Sequence, residues 1–299
     1  MVENEYKQDE TKIYADRKGP AKMAEGIAMI RAYESSKLEA ERICYDPYAI
    51  HFINPKILEY AAKHRDEANT TVENNSGSIV ARVRYFDDFA KKLIENGLEQ
   101  LVIFGAGYDT RAYRIEELKE KVKVFEVDHP GTQIFKMEKI KEIFGSIPEH
   151  VVFVPVDFEK ETFSEKLFSK GYNRSLKTLF IMEGLIMYIT PKSVAETLSF
   201  IAENSGKGSA VIFDYFPESV VDGTNKLKIA QDIRNFAIQQ GEPFQFGIKD
   251  GELEEFLSTF GFSNIQNVTS EDYKKAYFHG KNENRNVCEL LYFAQATIE

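Results

Sequence analysis

The chain has 299 residues, of which 43% are hydrophobic and 29% charged, a balance that excludes a disordered chain and suits one large domain or two small ones. A net charge of −10 and a pI near 5.2 argue against a nucleic-acid backbone or an anionic membrane as the main partner. No apolar stretch approaches the roughly 20 residues that span a bilayer, and the polar start MVENEYKQDETK lacks the apolar run of a signal peptide.

Residues up to about Pro20 are charged and aperiodic and read as a loose arm. From Lys22 to Glu41 good helix formers place Met23, Ala24, Ile27 and Ile30 on one face. Asp46-Pro47 breaks that pattern and starts a short helix through Ala49, Phe52 and Ile53. Thr70 to Gly77 is polar, and the stripe Ile79, Val83, Phe86, Phe89, Ala90 and Leu93 predicts a helix from about Ser78 to Asn96. Then short apolar runs take over, at Gln100–Gly105, Lys123–Asp128, Val151–Asp157, Thr178–Glu183 and Ser209–Asp214. Helical segments separate them, notably Gly131–Phe144 and Pro191–Asn204. Apolar strands alternating with helices form a parallel sheet covered on both faces. Most of these strands end at glycine or a carboxylate, and in an open α/β sheet that end holds the ligand. After Asp214 the alternation stops: Thr224–Gln240 and Leu253–Phe260 read as helices, and Asn264–Thr269 and Val287–Ala294 as late strands. Cys44 and Cys288 form no metal or redox spacing and read as two buried reduced thiols of a cytoplasmic protein.

The segment LVIFGAGYDTR, Leu101–Arg111, runs from a strand through Gly105-Ala106-Gly107 into a helix, which brings backbone N–H groups close to a ligand. It lacks the third glycine of a dinucleotide fingerprint, which weakens a nicotinamide-dependent oxidoreductase as the competing reading. Glu126-Val-Asp128 ends the next strand about twenty residues on, where an acid can accept from both ribose hydroxyls of an adenosine or else cap the following helix. Asp157 beside Phe158 suits an adenine amine and ring, with a plain helix cap as the equal alternative. Glu183, at the centre of the same edge, is either ligand-facing or ion-paired, because a lone buried carboxylate is costly. Tyr188 could contact an acceptor or simply pack, and Phe216, Phe236, Phe244 and Phe246 either cover an acceptor site or pack the added helices. The five histidines form no ligand motif, so no metal is expected.

The motifs LVIFGAGYDTRAYR, VFEVDHP, VPVDF and LFIMEGLIMYI, in this order and spacing, resemble the leucine carboxyl methyltransferase family. YDPYAIHF (Tyr45–Phe52) and ARVRYFDD (Ala81–Asp88) extend the resemblance over about residues 21–215, and GEPFQFGI and LEEFLSTFGF continue it more loosely. It implies a Rossmann-like class I methyltransferase fold: a mostly parallel seven-stranded sheet with helices on both faces. The whole of 1–299 would be one domain, with an N-terminal helical cap (1–96), a cofactor-binding core (97–214), and lid helices with C-terminal strands (215–299). The implied cofactor is S-adenosylmethionine. By motif match Arg82 would hold its methionine carboxylate, Gly105, Ala106 and Gly107 its methionyl part, Asp128 the ribose, Asp157 and Phe158 the adenine, while Glu183 would lie near the amino-acid end. The implied reaction is O-methylation of a carboxylate or hydroxyl on a small-molecule acceptor, with no catalytic residue assignable. Members acting on a protein phosphatase C-terminus carry an upstream lysine that does not align here, where Ser35, Ser36 and Lys37 occupy the region and Arg31 lies close. FGAGYDTRAYR instead resembles the microbial branch of the family, which implies small-metabolite acceptors, so a protein carboxyl methyltransferase is the alternative, and a fold that keeps cofactor binding without catalysis is a third.

Overall fold

The sequence runs predicted as strands form one twisted sheet in the computed structural model, which describes residues 22–156 and 162–299. The arm up to Pro20 and the pair Asp157 and Phe158 lie outside these residues. The strands are β1 (Gln100–Phe104), β2 (Lys123–Asp128), β3 (Val151–Pro155), β4 (Thr178–Met182), β5 (Ala210–Tyr215), β6 (Ser263–Val268) and β7 (Tyr292–Thr297). Their order is β3-β2-β1-β4-β5-β7-β6. Pairs among β1 to β5 are parallel, and β7 runs antiparallel to both β5 and β6.

Every residue of β1, β4 and β5 is buried, as a sheet covered on both faces requires. Side chains alternate between the faces. Leu101, Ile103, Leu179, Ile181 and Ile212 pack under Ala28, Val80, Val83 and Phe86. Val102, Phe104, Phe180, Met182 and Phe213 pack against Phe163, Leu167, Val194, Leu198 and Ile201. Full burial of each such side chain is worth about 1.5–3 kcal/mol. The first face is covered by α1 (Lys22–Ser35) and α3 (Arg65–Glu95), with α2 (Pro55–Lys63) before α3. Two short helices, α4 (Arg111–Arg114) and α5 (Glu116–Lys121), follow β1; α6 (Pro130–Phe144), α7 (Phe163–Ser169) and α8 (Pro191–Glu203) follow β2, β3 and β4. Beyond β5 come α9 (Glu218–Val221), α10 (Lys228–Gln239), α11 (Leu253–Ser258) and α12 (Ser270–Tyr277).

Two boundaries differ from the sequence expectation for reasons the structure shows. Helix α3 begins at Arg65 rather than near Ser78, so the polar stretch is its first half, with Asp66 and Glu67 in the favourable first turn. Gly77 sits inside this helix because the 285–288 loop presses on it: a Cβ there would stand 1.9 Å from the Asn286 carbonyl oxygen. Arg285 donates to Ser76 Oγ at 3.0 Å, and the Cys288 N–H to Ser78 Oγ at 2.6 Å. That capture delays β7 to Tyr292, five residues after the expected start, since the Leu291 N–H also turns back to the Cys288 carbonyl. Cys44 is buried as expected, whereas Cys288 is only partly so, and both are free thiols.

Candidate active site

The order of strands reverses between β1 and β4, and a crevice opens beyond their carboxyl ends. Gly105, Asp128, Glu183 and Asp214 stand at or just beyond the ends of β1, β2, β4 and β5 and so share one edge. Gly105 and Gly107 adopt φ of 61° and 40°, a region that favours glycine. A Cβ on Gly105 would come within 2.9 Å of Leu185 Cδ1, so the turn needs glycine both for its conformation and for its approach to the segment after β4.

Asp128 does not cap α6; His129 does, with Nδ1 accepting from the Gly131 N–H. Instead the Asp128 carboxylate accepts from the Gly107 N–H at 2.5 Å and from the His129 N–H at 2.6 Å, locking the end of β2 to the glycine turn. Burial raises its pKa in spite of these two donors. Beneath the turn, Lys136 Nζ lies 2.7 Å from Glu126 and 3.4 Å from the Ala106 carbonyl oxygen.

Glu183 is ion-paired. Arg82 reaches it through Nε at 3.1 Å and Arg111 through Nη2 at 2.7 Å. Arg82 also donates through Nη1 to Asp214 at 2.6 Å, and the other Asp214 oxygen accepts from the Gly184 N–H at 2.6 Å. Arg111 binds Asp109 and, at 2.8 Å, Asp87; Arg114 grips the same Asp87 with two bonds of 2.6 and 2.8 Å. Three guanidinium groups thus face four carboxylates, all buried or nearly so, with one negative charge in excess. Burial would raise the Glu183 pKa, but Arg111 and Arg82 outweigh it and hold it below the ordinary value. For Asp214 burial wins over Arg82, and its pKa is raised. Nη2 of Arg82 takes no part in these bonds.

Of the residues expected at the site, Arg82 and Glu183 meet in this network, while Gly105, Ala106, Gly107 and Asp128 meet in the turn. Asp87, Asp109, Arg111 and Asp214 are network members that the sequence reading does not single out. Near the region of the upstream lysine, Arg31 donates to the Tyr108 carbonyl at 2.6 Å and pairs with Asp46, and Lys37 pairs with Glu34. Tyr188, in the 3₁₀ turn Ile186–Tyr188, has its hydroxyl pKa raised by burial and by Glu242 and Asp214, with Arg82 opposing. The four rings expected over an acceptor site divide. Phe244 packs on Tyr188 and Phe216 with centroids 5.5 and 5.0 Å apart, Phe246 packs on Phe256 instead, and Phe236 is 51% exposed. Among the described residues no group of three or more His, Cys, Asp or Glu could hold a metal ion, and no helix is long and apolar enough to cross a membrane.

The strand order, the antiparallel β7 and the glycine turn at the switch point define a class I S-adenosylmethionine-dependent methyltransferase. Residues 24–202 match the leucine carboxyl methyltransferase family, more than half of the chain, and the protein belongs to that family. A Bacillus subtilis (strain 168) relative, YktD, provisionally named an S-adenosyl-L-methionine-dependent methyltransferase, is 29% identical over 86% of this chain and 79% of its own. A Frankia alni relative with the same kind of provisional name is 28% identical over 72% of this chain and 74% of its own. Among solved structures, a Thermobifida fusca protein provisionally described as a methyltransferase superposes with a TM-score of 0.57 at 13% identity, covering 95% of this chain and 97% of that one. A DUF574 family protein from Streptomyces avermitilis gives 0.55 at 12% identity, covering 91% and 97%. At these identities the two structures speak for the fold.

Proposed function

We propose that the protein is an O-methyltransferase that moves the methyl group of S-adenosylmethionine to a hydroxyl or carboxylate oxygen of a small cytoplasmic metabolite. The observation that carries this reading is the charge balance at the sheet edge: a buried network with one surplus negative charge and one uncommitted guanidinium nitrogen. An amino-acid moiety, with one ammonium and one carboxylate, matches both features. The residues fit the cofactor on that ground.

Arg82, steadied by Glu183 and Asp214, offers Nη2 to the methionine carboxylate, and the surplus negative charge of Glu183 and Asp214 favours the ammonium. Asp128, already oriented by two backbone N–H groups, keeps lone pairs for the ribose hydroxyls. Gly105, Ala106 and Gly107 let the chain pass close to the methionyl part without a side chain in the way. Asp157 and Phe158 take the adenine, as the family motif implies. The cofactor supplies a methyl group on a sulfonium, a good leaving group. The protein's part is then to orient the acceptor oxygen in line and to exclude water, with no covalent intermediate on the chain. The free cysteines Cys44 and Cys288 support a reducing compartment.

Calorimetric titration with S-adenosylhomocysteine tests this on the wild type and on Asp128→Ala. Micromolar binding is expected, weakened in the variant by about 1–3 kcal/mol, roughly five- to a hundred-fold. A well-folded wild type that does not bind would overturn the reading.

A further inference from the structure

The loop after α10 meets the segments that follow β4 and β5. Its backbone is stitched down at several points. The Gln245 N–H donates to the Met187 carbonyl at 2.8 Å and its side-chain amide to the Tyr188 carbonyl at 2.6 Å. Further on, Ile248 exchanges backbone bonds with Phe216 and Glu218 at 3.2 and 2.9 Å. Gly247 allows this closeness, for a Cβ there would sit 2.8 Å from the Glu218 Cα. The loop therefore has a fixed position relative to Tyr188, which itself lies within electrostatic reach of Arg82 and Asp214.

Glu242 is carried into this place at the start of the loop, its N–H bonded to the Ala237 carbonyl at 3.0 Å. The side chain is half-buried, and no described residue forms an ion pair or hydrogen bond with it; burial alone acts on its pKa and raises it. Its carboxylate acts electrostatically on Tyr188, whose ring packs on Phe244, two residues along the loop, and Phe244 on Phe216, with centroids 5.5 and 5.0 Å apart. A carboxylate partly withdrawn from water without a cation is unfavourable until a cation arrives. Aromatic rings attract the same kind of charge. Among the described residues, Asp128, Glu183 and Asp214 at this edge each have an arginine or a backbone donor, and Glu242 has neither.

We infer that Glu242, together with Tyr188, Phe216 and Phe244, binds an ammonium group of the methyl acceptor. The acceptor class is accordingly an aromatic or apolar molecule bearing a hydroxyl and a protonated amine. An anionic acceptor would meet the uncompensated charge of Glu242, so Glu242 selects against carboxylate acceptors. This inference rests on the methyltransferase reading of the site and names the substrate that reading leaves open.

A matched pair of probes tests it: tyramine and 4-hydroxyphenylacetate share a phenol and differ in carrying an ammonium or a carboxylate. Each is titrated into protein saturated with S-adenosylhomocysteine, using wild type, Glu242→Gln and Glu242→Lys. Tyramine should bind the wild type at least ten times more tightly than the acid. Glu242→Gln should lose at least ten-fold in tyramine affinity while keeping its S-adenosylhomocysteine affinity, and Glu242→Lys should invert the preference. With S-adenosylhomocysteine bound, equal or no binding of the two probes, or a preference that survives Glu242→Gln, overturns the acceptor class and leaves the methyltransferase reading standing. Failure of S-adenosylhomocysteine itself to bind overturns that reading and this inference with it.

Discussion

Around Arg111 three guanidinium groups and four carboxylates are shut inside the protein, with Arg111 itself 1% exposed, whereas α10 leaves Ile229, Phe236 and Ile238 at 42–51% exposure. Both regions border the same end of the sheet. The first is over-determined: each charge has at least one opposite partner, and Asp87 alone receives three bonds from Arg111 and Arg114, with Asp109 nearby. The second is held more lightly: its loops meet β5 and the turn at Tyr188, Arg234 donates to the Val221 carbonyl at 3.1 Å, and Ala230 and Ala237 are buried beneath it. A buried ion network adds little net stability, because desolvation offsets the attraction, but it punishes any unpaired charge heavily. Such a network is suited to hold a cofactor site in one geometry. A cover with solvent-facing apolar groups is suited to change its fit to an acceptor.

Removing the hub of the network should have the largest effect. Arg111→Met leaves Asp109 without its guanidinium and Glu183 with Arg82 alone. It is expected to destabilise the fold by about 3–5 kcal/mol, read from urea midpoints, and to weaken S-adenosylhomocysteine binding. A change below about 1 kcal/mol would mean that water reaches these carboxylates, and the contrast with α10 would collapse.

A pH series probes the neighbouring pair under the glycine turn. Burial raises the Glu126 pKa from its ordinary 4.5 to about 7 even though Lys136 opposes it. Below about pH 4.5 the carboxyl is protonated in folded and unfolded chains alike, and its contribution is fully present. Between about 4.5 and 7 the unfolded chain loses the proton while the folded protein retains it, so stability falls; above 7 the effect levels off. Glu126→Gln cannot titrate. The stability of wild type minus variant should therefore fall by about 2–4 kcal/mol from pH 4.5 to 7.5. A flat difference would show that Lys136 keeps Glu126 ionised in the folded protein.

The sequence revealed the two halves of this contrast unequally. Strands buried on both faces appear as short, mostly apolar runs, so β1, β2, β4 and β5 and the residues at their ends could be read directly, including Gly105, Asp128 and Glu183. The network could not, since its bonds join residues far apart in the chain: Arg82 and Asp214 are 132 positions apart. Arg111 and Asp109 lie inside the quoted glycine motif, yet nothing local says that they turn inward toward Asp87 and Glu183. The polar half of α3 was hidden because its Gly77 and Ser76 answer to a loop more than 200 residues on. One signal was legible and passed over: Thr269 and Asp272 form a capping box that starts α12. After β5 the helical periodicity told where helices lie but not which rings face inward, because Phe216 and Phe236 look alike in sequence while one is 8% and the other 51% exposed.

That last pair gives the smallest expected effect and the sharpest control. Phe236→Ser removes a ring that the fold leaves in solvent, so stability should change by less than about 0.5 kcal/mol and S-adenosylhomocysteine affinity not at all. Phe216→Ala, in the same post-β5 segment, removes a ring packed on Phe244 and should destabilise by about 3–5 kcal/mol. Thermal unfolding of the two variants side by side decides whether α10 is bare in solution. If Phe236→Ser instead lowers stability as Phe216→Ala does, the outer face of α10 is covered by something that travels with the protein, and the post-β5 segment is as tightly held as the arginine network it borders. If the two differ as expected, the outward apolar groups of α10 contribute little to the resting fold, and its inner residues Ala230, Ile233 and Ala237, with the loop stitched to Tyr188, hold this cover to the sheet edge.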